Sequence, residues 1–156
     1  SGHKHDLCRD LGAHYCIDYR ADSFLDFIMD TTDGQGVDVV LDFVAASYFK
    51  DNIKVLANGG RMVMLAMLGG HRLDQLSLAP ILIKHLSIMG STLRSRSIAY
   101  KIALSQDLQE HCWADFNTGA LKPVIDSIFP LSEAKLAHQR MEANQNQGKI
   151  ILTVKE

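Results

Sequence analysis

The chain has 156 residues, enough for about one domain, with a net charge of −2, 47% hydrophobic and 22% charged residues, which argues against disorder. It shows no basic tail or stripe, no apolar run near the roughly 20 residues of a membrane helix, and a polar Ser1–Asp10 start instead of a secretory signal, so neither nucleic acid nor membrane is an expected partner. Its 3 cysteines, Cys8, Cys16 and Cys112, lack paired spacing, so we expect reduced thiols in a cytoplasmic protein, with no disulfide framework and no metal site.

Short apolar runs alternate with helical stretches. Tyr15 to Tyr19 is a short strand candidate. Asp22 to Thr31 places Phe24, Phe27 and Ile28 on one helical face and Asp22, Asp26 and Asp30 on a solvated one. Val37 to Phe43 is a continuous apolar run after Gly34 and Gly36, the pattern of a strand buried on both faces. Ser47 is placed to cap a helix carrying Phe49, Ile53 and Leu56, with Asn58-Gly59-Gly60 as its stop.

Arg61 to Ala66 is the next buried strand, ended by Gly69-Gly70. Leu73 to Lys84 is ambiguous, because Pro80 prevents one clean helix. Leu86 to Leu93 is a strand, and Ser95 to Thr118 a long helix stopped by Gly119. Ile125 to Phe129 is a short strand. Ser132 is placed to cap a further helix, with Leu131 and Leu136 as a hydrophobic staple. Lys149 to Val154 is the last strand.

Strands alternating with helices predict an α/β fold: a Rossmann-type parallel sheet with helices on both faces. Ligands in such sheets sit outside the carboxyl ends of the strands. The loops Asp18–Asp22, Asp42–Ser47, Ala66–Gly70 and Leu93–Ser97 are therefore expected on one edge. A glycine-rich G-x-G-x-x-G turn between a strand and a helix is absent: Gly34-Gln35-Gly36 precedes a strand and position 39 is Val. No Walker A, G-x-S-x-G or H-E-x-x-H sequence occurs.

Several strings carry a family resemblance. They are Ser1-Gly2-His3-Lys4, Leu11-Gly12-Ala13 and Ile17-Asp18-Tyr19; Gly36-Val37-Asp38-Val39-Val40-Leu41-Asp42; Gly60-Arg61-Met62-Val63; Gly90-Ser91-Thr92-Leu93-Arg94-Ser95-Arg96; and Met141-Glu142-Ala143-Asn144 with Gly148-Lys149-Ile150-Ile151-Leu152. In that order they resemble the cofactor domain of medium-chain dehydrogenases/reductases, in the zinc-free quinone oxidoreductase branch that includes zeta-crystallin and the inducible quinone reductases. The resemblance implies one partial NADP-binding domain over residues 1–156. It lacks the first βα unit, and an N-terminal catalytic domain is absent from the chain.

The resemblance also implies the site. Lys4 and Tyr19, beside Ser1, are expected to bracket the adenosine 2′-phosphate, since a phosphate dianion suits a cation and a phenol donor. No acidic residue directly follows Ser1-Gly2-His3 to pair a ribose 2′-hydroxyl, which favours NADP over NAD. Phe43 and Val44 end the strand at Asp42, where Ala45-Ala46 replaces the family's usual two glycines. Ala66, Met67 and Leu68 resemble the loop that passes the nicotinamide ribose, and Thr92 and Leu93 the segment lining the nicotinamide. Asn144 resembles the asparagine that reaches the phosphate region. For Met67, Leu68 and Leu93 plain core packing is an equal alternative.

The implied activity is hydride transfer from NADPH to a small-molecule substrate, a quinone or enone, with no catalytic residue in this chain and the isolated chain inactive. Two other readings stand beside it: a remnant serving as an interaction or structural module, and a binding-only nucleotide sensor. Exposed strand edges and apolar faces point to a homodimer or larger assembly.

Overall fold

The computed structural model describes residues 2–154. The chain divides into two compact units, one formed by Gly2 with Ile17–Ser97 and the other by His3–Cys16 with residues 98–154.

The first unit holds helix α2 (Phe24–Thr31), strand β1 (Val37–Asp42), helix α3 (Ala46–Val55), strand β2 (Leu56–Met64), the short helix α4 (Ala79–Ile83) and strand β3 (Ser87–Gly90). Its sheet has the order β1-β2-β3, parallel throughout. Ser23 caps α2 by accepting the Asp26 N–H at 3.2 Å, which satisfies one of the donors a helix start leaves free. Pro80 sits in the first turn of α4, where its missing N–H costs nothing.

Strand β2 begins earlier than the glycine pair suggested. Leu56 already pairs with Val37, and the ladder then skips to Arg61 opposite Val39. Asn58-Gly59-Gly60 thus forms a bulge inside the ladder, and α3 ends before Leu56, at Val55. Gly59 takes a φ of 74° there and donates its N–H to the Lys84 carbonyl at 2.7 Å. Glycine tolerates this left-handed backbone without a Cβ clash.

The core of this unit lies on one face of the sheet. Phe49, Ile53, Leu56 and Met62 are its buried centre, with Val40, Met64 and Ile88 packed against it. The expectation that β1 and β2 are buried on both faces fails. Val39, Leu41 and Phe43 are 48%, 61% and 52% exposed, and Leu65 and Met89 are exposed as well. Side chains alternate along a strand, so these residues share the face opposite the core.

The second unit holds helix α1 (His5–Asp10), helix α5 (Ile98–Thr118), strand β4 (Ile125–Pro130), helix α6 (Ala134–Glu142) and strand β5 (Lys149–Thr153). β4 and β5 form a parallel pair. Gly119 ends α5 with a φ of 77°. A 3-10 turn over Leu131–Glu133 leads into α6, and Ser132 does not cap it: no side chain accepts an N–H at the start of α6. Glu133, the last residue of that turn, stands at the cap position instead of Ser132.

The Tyr15–Tyr19 strand also does not form, because no neighbouring backbone forms a ladder with it among the described residues. Among the described residues no helix is long and apolar enough to cross a membrane.

Candidate functional site

Because β1, β2 and β3 run parallel, their carboxyl ends meet at one edge. The loops that follow are laced together there. Leu65 donates to the Asp42 carbonyl at 2.7 Å, Leu68 to Phe43 at 3.1 Å, Gly69 to Val44 at 2.7 Å and Ser91 to Met64 at 3.0 Å. Gly69 is forced: a Cβ there would strike the Ser47 Oγ and lie 2.7 Å from the Val44 side chain.

At this edge lies an open, mainly apolar cavity of about 460 Å³. Ala45, Phe49, Met64, Ala66, Met67, His71 and Thr92 line it. The geometry therefore brings Ala66, Met67 and Thr92 together in one cavity wall. Leu68 and Leu93 are 83% and 53% exposed and stand outside the lining. A concave, mainly apolar site at the carboxyl edge of a parallel sheet has the character of a small-molecule site.

A second cavity of about 230 Å³ in the same unit gathers Tyr19, Phe43 and Val44 with Phe24, Tyr48 and Asn52. The Arg20 guanidinium stands 5.8 Å from the centre of the Tyr19 ring, within cation–π range. Asp42 lines this cavity and is 3% exposed. Its Oδ1 accepts the N–H groups of Val44 at 2.7 Å and Ala45 at 3.0 Å, while its buried Oδ2 has no partner among the described residues. A buried carboxylate oxygen without a donor is costly.

The helix after β1 begins without the Ser47 cap. Ala45 occupies the cap position at φ 65° and ψ −117°, and Ala46 donates to the Gly70 carbonyl at 3.1 Å. Alanine is strained in this conformation. The backbone keeps the path that glycine would follow, although two methyl groups now stand on it.

The second unit brings two further residues together across 140 positions of sequence. The Lys4 Nζ donates to the Asn144 Oδ1 at 2.9 Å. Asn144 sits in a left-handed turn at φ 53° after α6. Lys4 and Asn144 belong to one unit and Tyr19 to the other; Ser1 lies outside the described residues.

Asp42, Asn52, His71 and Arg20 were not singled out as site residues from the sequence. The Asp42 carboxylate at a strand's carboxyl end, and the histidine just after Gly69-Gly70, were signals that position alone could have raised.

The match to known proteins covers nearly the whole chain: the family model described as zinc-binding dehydrogenase fits residues 11–152. The chain belongs to the zinc-binding dehydrogenase family. Rat (Rattus norvegicus) quinone oxidoreductase is 28% identical over 142 residues, which cover 90% of this chain and 41% of that protein. A mycocerosic acid synthase-like polyketide synthase of Mycobacterium tuberculosis is 30% identical over 151 residues, 97% of this chain and 7% of that much longer protein. The crystal structure of an NAD-dependent alcohol dehydrogenase superposes with a TM-score of 0.77 at 31% identity, over 99% of this chain and 42% of that one. The chain thus spans less than half the length of each of these proteins.

The fold is accordingly the family's α/β cofactor-binding architecture, and the family role is that of a nicotinamide-nucleotide oxidoreductase. The apolar cavity at the carboxyl edge fits the nicotinamide end of such a nucleotide. Zinc is different. Among the described residues no three His, Cys, Asp or Glu side chains converge as a metal site requires. The described donor set does not fit the ion.

Proposed function

We propose that the chain is the NADP(H)-binding part of a quinone oxidoreductase-like reductase that moves hydride from NADPH to a quinone or enone. The observation that carries the reading is the Lys4–Asn144 pair, an ammonium held at 2.9 Å by a residue 140 positions away. A fixed cation with a polar neighbour suits a phosphate dianion, through charge-assisted hydrogen bonds. It has no comparable use for a bare ribose hydroxyl, which an NAD-selective site pairs with a carboxylate.

Bound nicotinamide supplies the hydride chemistry; the chain's residues supply position and dryness. Ala66, Met67 and Thr92 form part of the cavity wall at the sheet edge, and their apolar groups exclude water from whatever occupies it. Gly69 lets the loop after β2 pass close over Val44 and Ser47. Asp42 Oδ1 holds the turn after β1 by accepting the Val44 and Ala45 N–H groups. No side chain here is assigned to proton transfer. Substrate contacts are proposed to come from the remainder of a longer enzyme, consistent with the share of quinone oxidoreductase that the chain covers.

The test is titration of the purified chain with NADPH and with NADH, followed by nicotinamide fluorescence. Tighter binding of NADPH is expected. Equal or weaker binding of NADPH would overturn the NADP assignment, and no binding of either would favour a remnant serving as an interaction module.

A further inference from the structure

We propose that Asp126 is a positioning residue for the Lys4–Asn144 pair, acting through Arg140 and Gln147. The inference rests on the phosphate reading of Lys4 given above and adds the device that makes that lysine selective.

Asp126 stands on β4 with its side chain 6% exposed. It receives four hydrogen bonds: from Arg140 Nε at 2.6 Å and Nη2 at 3.0 Å, from the Gln147 backbone N–H at 2.8 Å and from Ser127 Oγ at 2.8 Å. The guanidinium fork is bidentate, which fixes direction as well as distance. Arg140 lies on α6, and Gln147 lies just before β5. One carboxylate therefore ties together both ends of the connection from α6 to β5.

That connection carries the Lys4 partner. Its backbone turns through Asn144, whose N–H donates to the Met141 carbonyl at 2.9 Å, and Gln145 donates back to the Arg140 carbonyl at 3.2 Å. Two side chains of the same stretch then hold the start of the chain. Asn144 Oδ1 accepts from Lys4, and Gln147 Nε2 donates to the His3 carbonyl at 3.3 Å. Gly148 closes the turn at φ 121°, where a Cβ would run into the Val124 carbonyl. Lys4 is partly exposed, and a free lysine would sample many rotamers. Its ammonium is instead held by a turn that Asp126 locks at two points, so an arriving phosphate meets a cation already in place.

The test compares 2′,5′-ADP with 5′-AMP, two probes that differ in the 2′-phosphate, by calorimetry on the full 156-residue chain. The unaltered chain should prefer 2′,5′-ADP. Asp126→Asn should reduce that preference about tenfold, with 5′-AMP affinity unchanged, and should reduce it no further when Lys4→Ala is already present. Arg140→Lys keeps the charge but loses the fork; it should give the same loss and serves if Asp126→Asn does not fold. A purely structural role would weaken both probes alike and would add to the effect of Lys4→Ala. Either of those results, or an unchanged preference in both variants, overturns the positioning role. Absence of any preference in the unaltered chain instead overturns the phosphate reading on which it rests.

Discussion

At the scale of single residues, Ala45 and Lys4 are the most exacting positions. Ala45 is 5% exposed and holds φ 65° and ψ −117°, a conformation that costs an L-residue on the order of 1–3 kcal/mol. Glycine relieves that strain but adds chain entropy to the unfolded state, about 0.4–1 kcal/mol. Ala45→Gly is therefore expected to stabilise the chain by about 1 kcal/mol, read as a higher urea midpoint at unchanged slope. An unchanged or lower midpoint would show that the buried methyl contributes more than the strain costs. Lys4 faces a different test. Loss of one charge-assisted phosphate contact is worth roughly 1.5–3 kcal/mol, about ten- to a hundredfold in affinity. Lys4→Ala should thus lower the NADPH-to-NADH affinity ratio by that factor; a ratio left intact would make Lys4 a surface lysine.

At the scale of elements, the β4–α6–β5 assembly depends on one carboxylate. The Arg140 fork, then the Gln147 N–H and the Ser127 hydroxyl, hold the Asp126 carboxyl well below the usual carboxylate range, and Asp126 in turn raises Arg140. The sign follows from the depressed value in the folded chain. Its stabilisation is fully present above the unfolded carboxyl's pKa of about 3.9, and it is lost as the pH falls through and below that value. Denaturant midpoints measured from about pH 5 down to pH 2.5 should fall in the unaltered chain and fall less steeply in Asp126→Asn. Parallel slopes would remove Asp126 from the acid sensitivity. The other element of consequence is β2, whose Met62 is fully buried at the core centre. Met62→Ala is expected to cost about 2–5 kcal/mol, and thermal or urea unfolding would show it; a loss under about 1 kcal/mol would mean that the site collapses around the smaller side chain.

At the scale of the whole molecule, the uncovered face of the first unit's sheet dominates. Leu41, Val63 and Met89 stand side by side in register across β1, β2 and β3, and Leu41 and Met89 are 61% and 46% exposed. β1 is also an edge strand, its outer side unpaired among the described residues. An apolar face beside an open edge favours association. The chain is expected to sediment as a dimer or larger at micromolar concentration, and Leu41→Lys should shift it toward its 17.3 kDa monomer. A clean monomer for the unaltered chain would show that this face stays solvated.

The sequence by itself determined the alternation of strands and helices, their parallel pairing and the edge where the loops gather. Those follow from local causes: apolar runs such as Val37 to Phe43, glycines that flank them, and the need of a parallel sheet for crossover helices. The Ser47 and Ser132 caps were misread for a related reason. A hydroxyl at the right spacing signals a cap, but Ala45 and the Leu131–Glu133 turn had already set the backbone at those helix starts. Only the tertiary structure decided which face of β1 is covered, since Val39 and Val40 are equally apolar and burial depends on what packs against each. It also decided that Lys4 meets Asn144, that Asp126 anchors the turn between α6 and β5, and that Asp42 Oδ2 is buried without a partner among the described residues. Such pairings join residues far apart in the chain, where no periodicity links them, and they exist only once loop closure has brought the segments together.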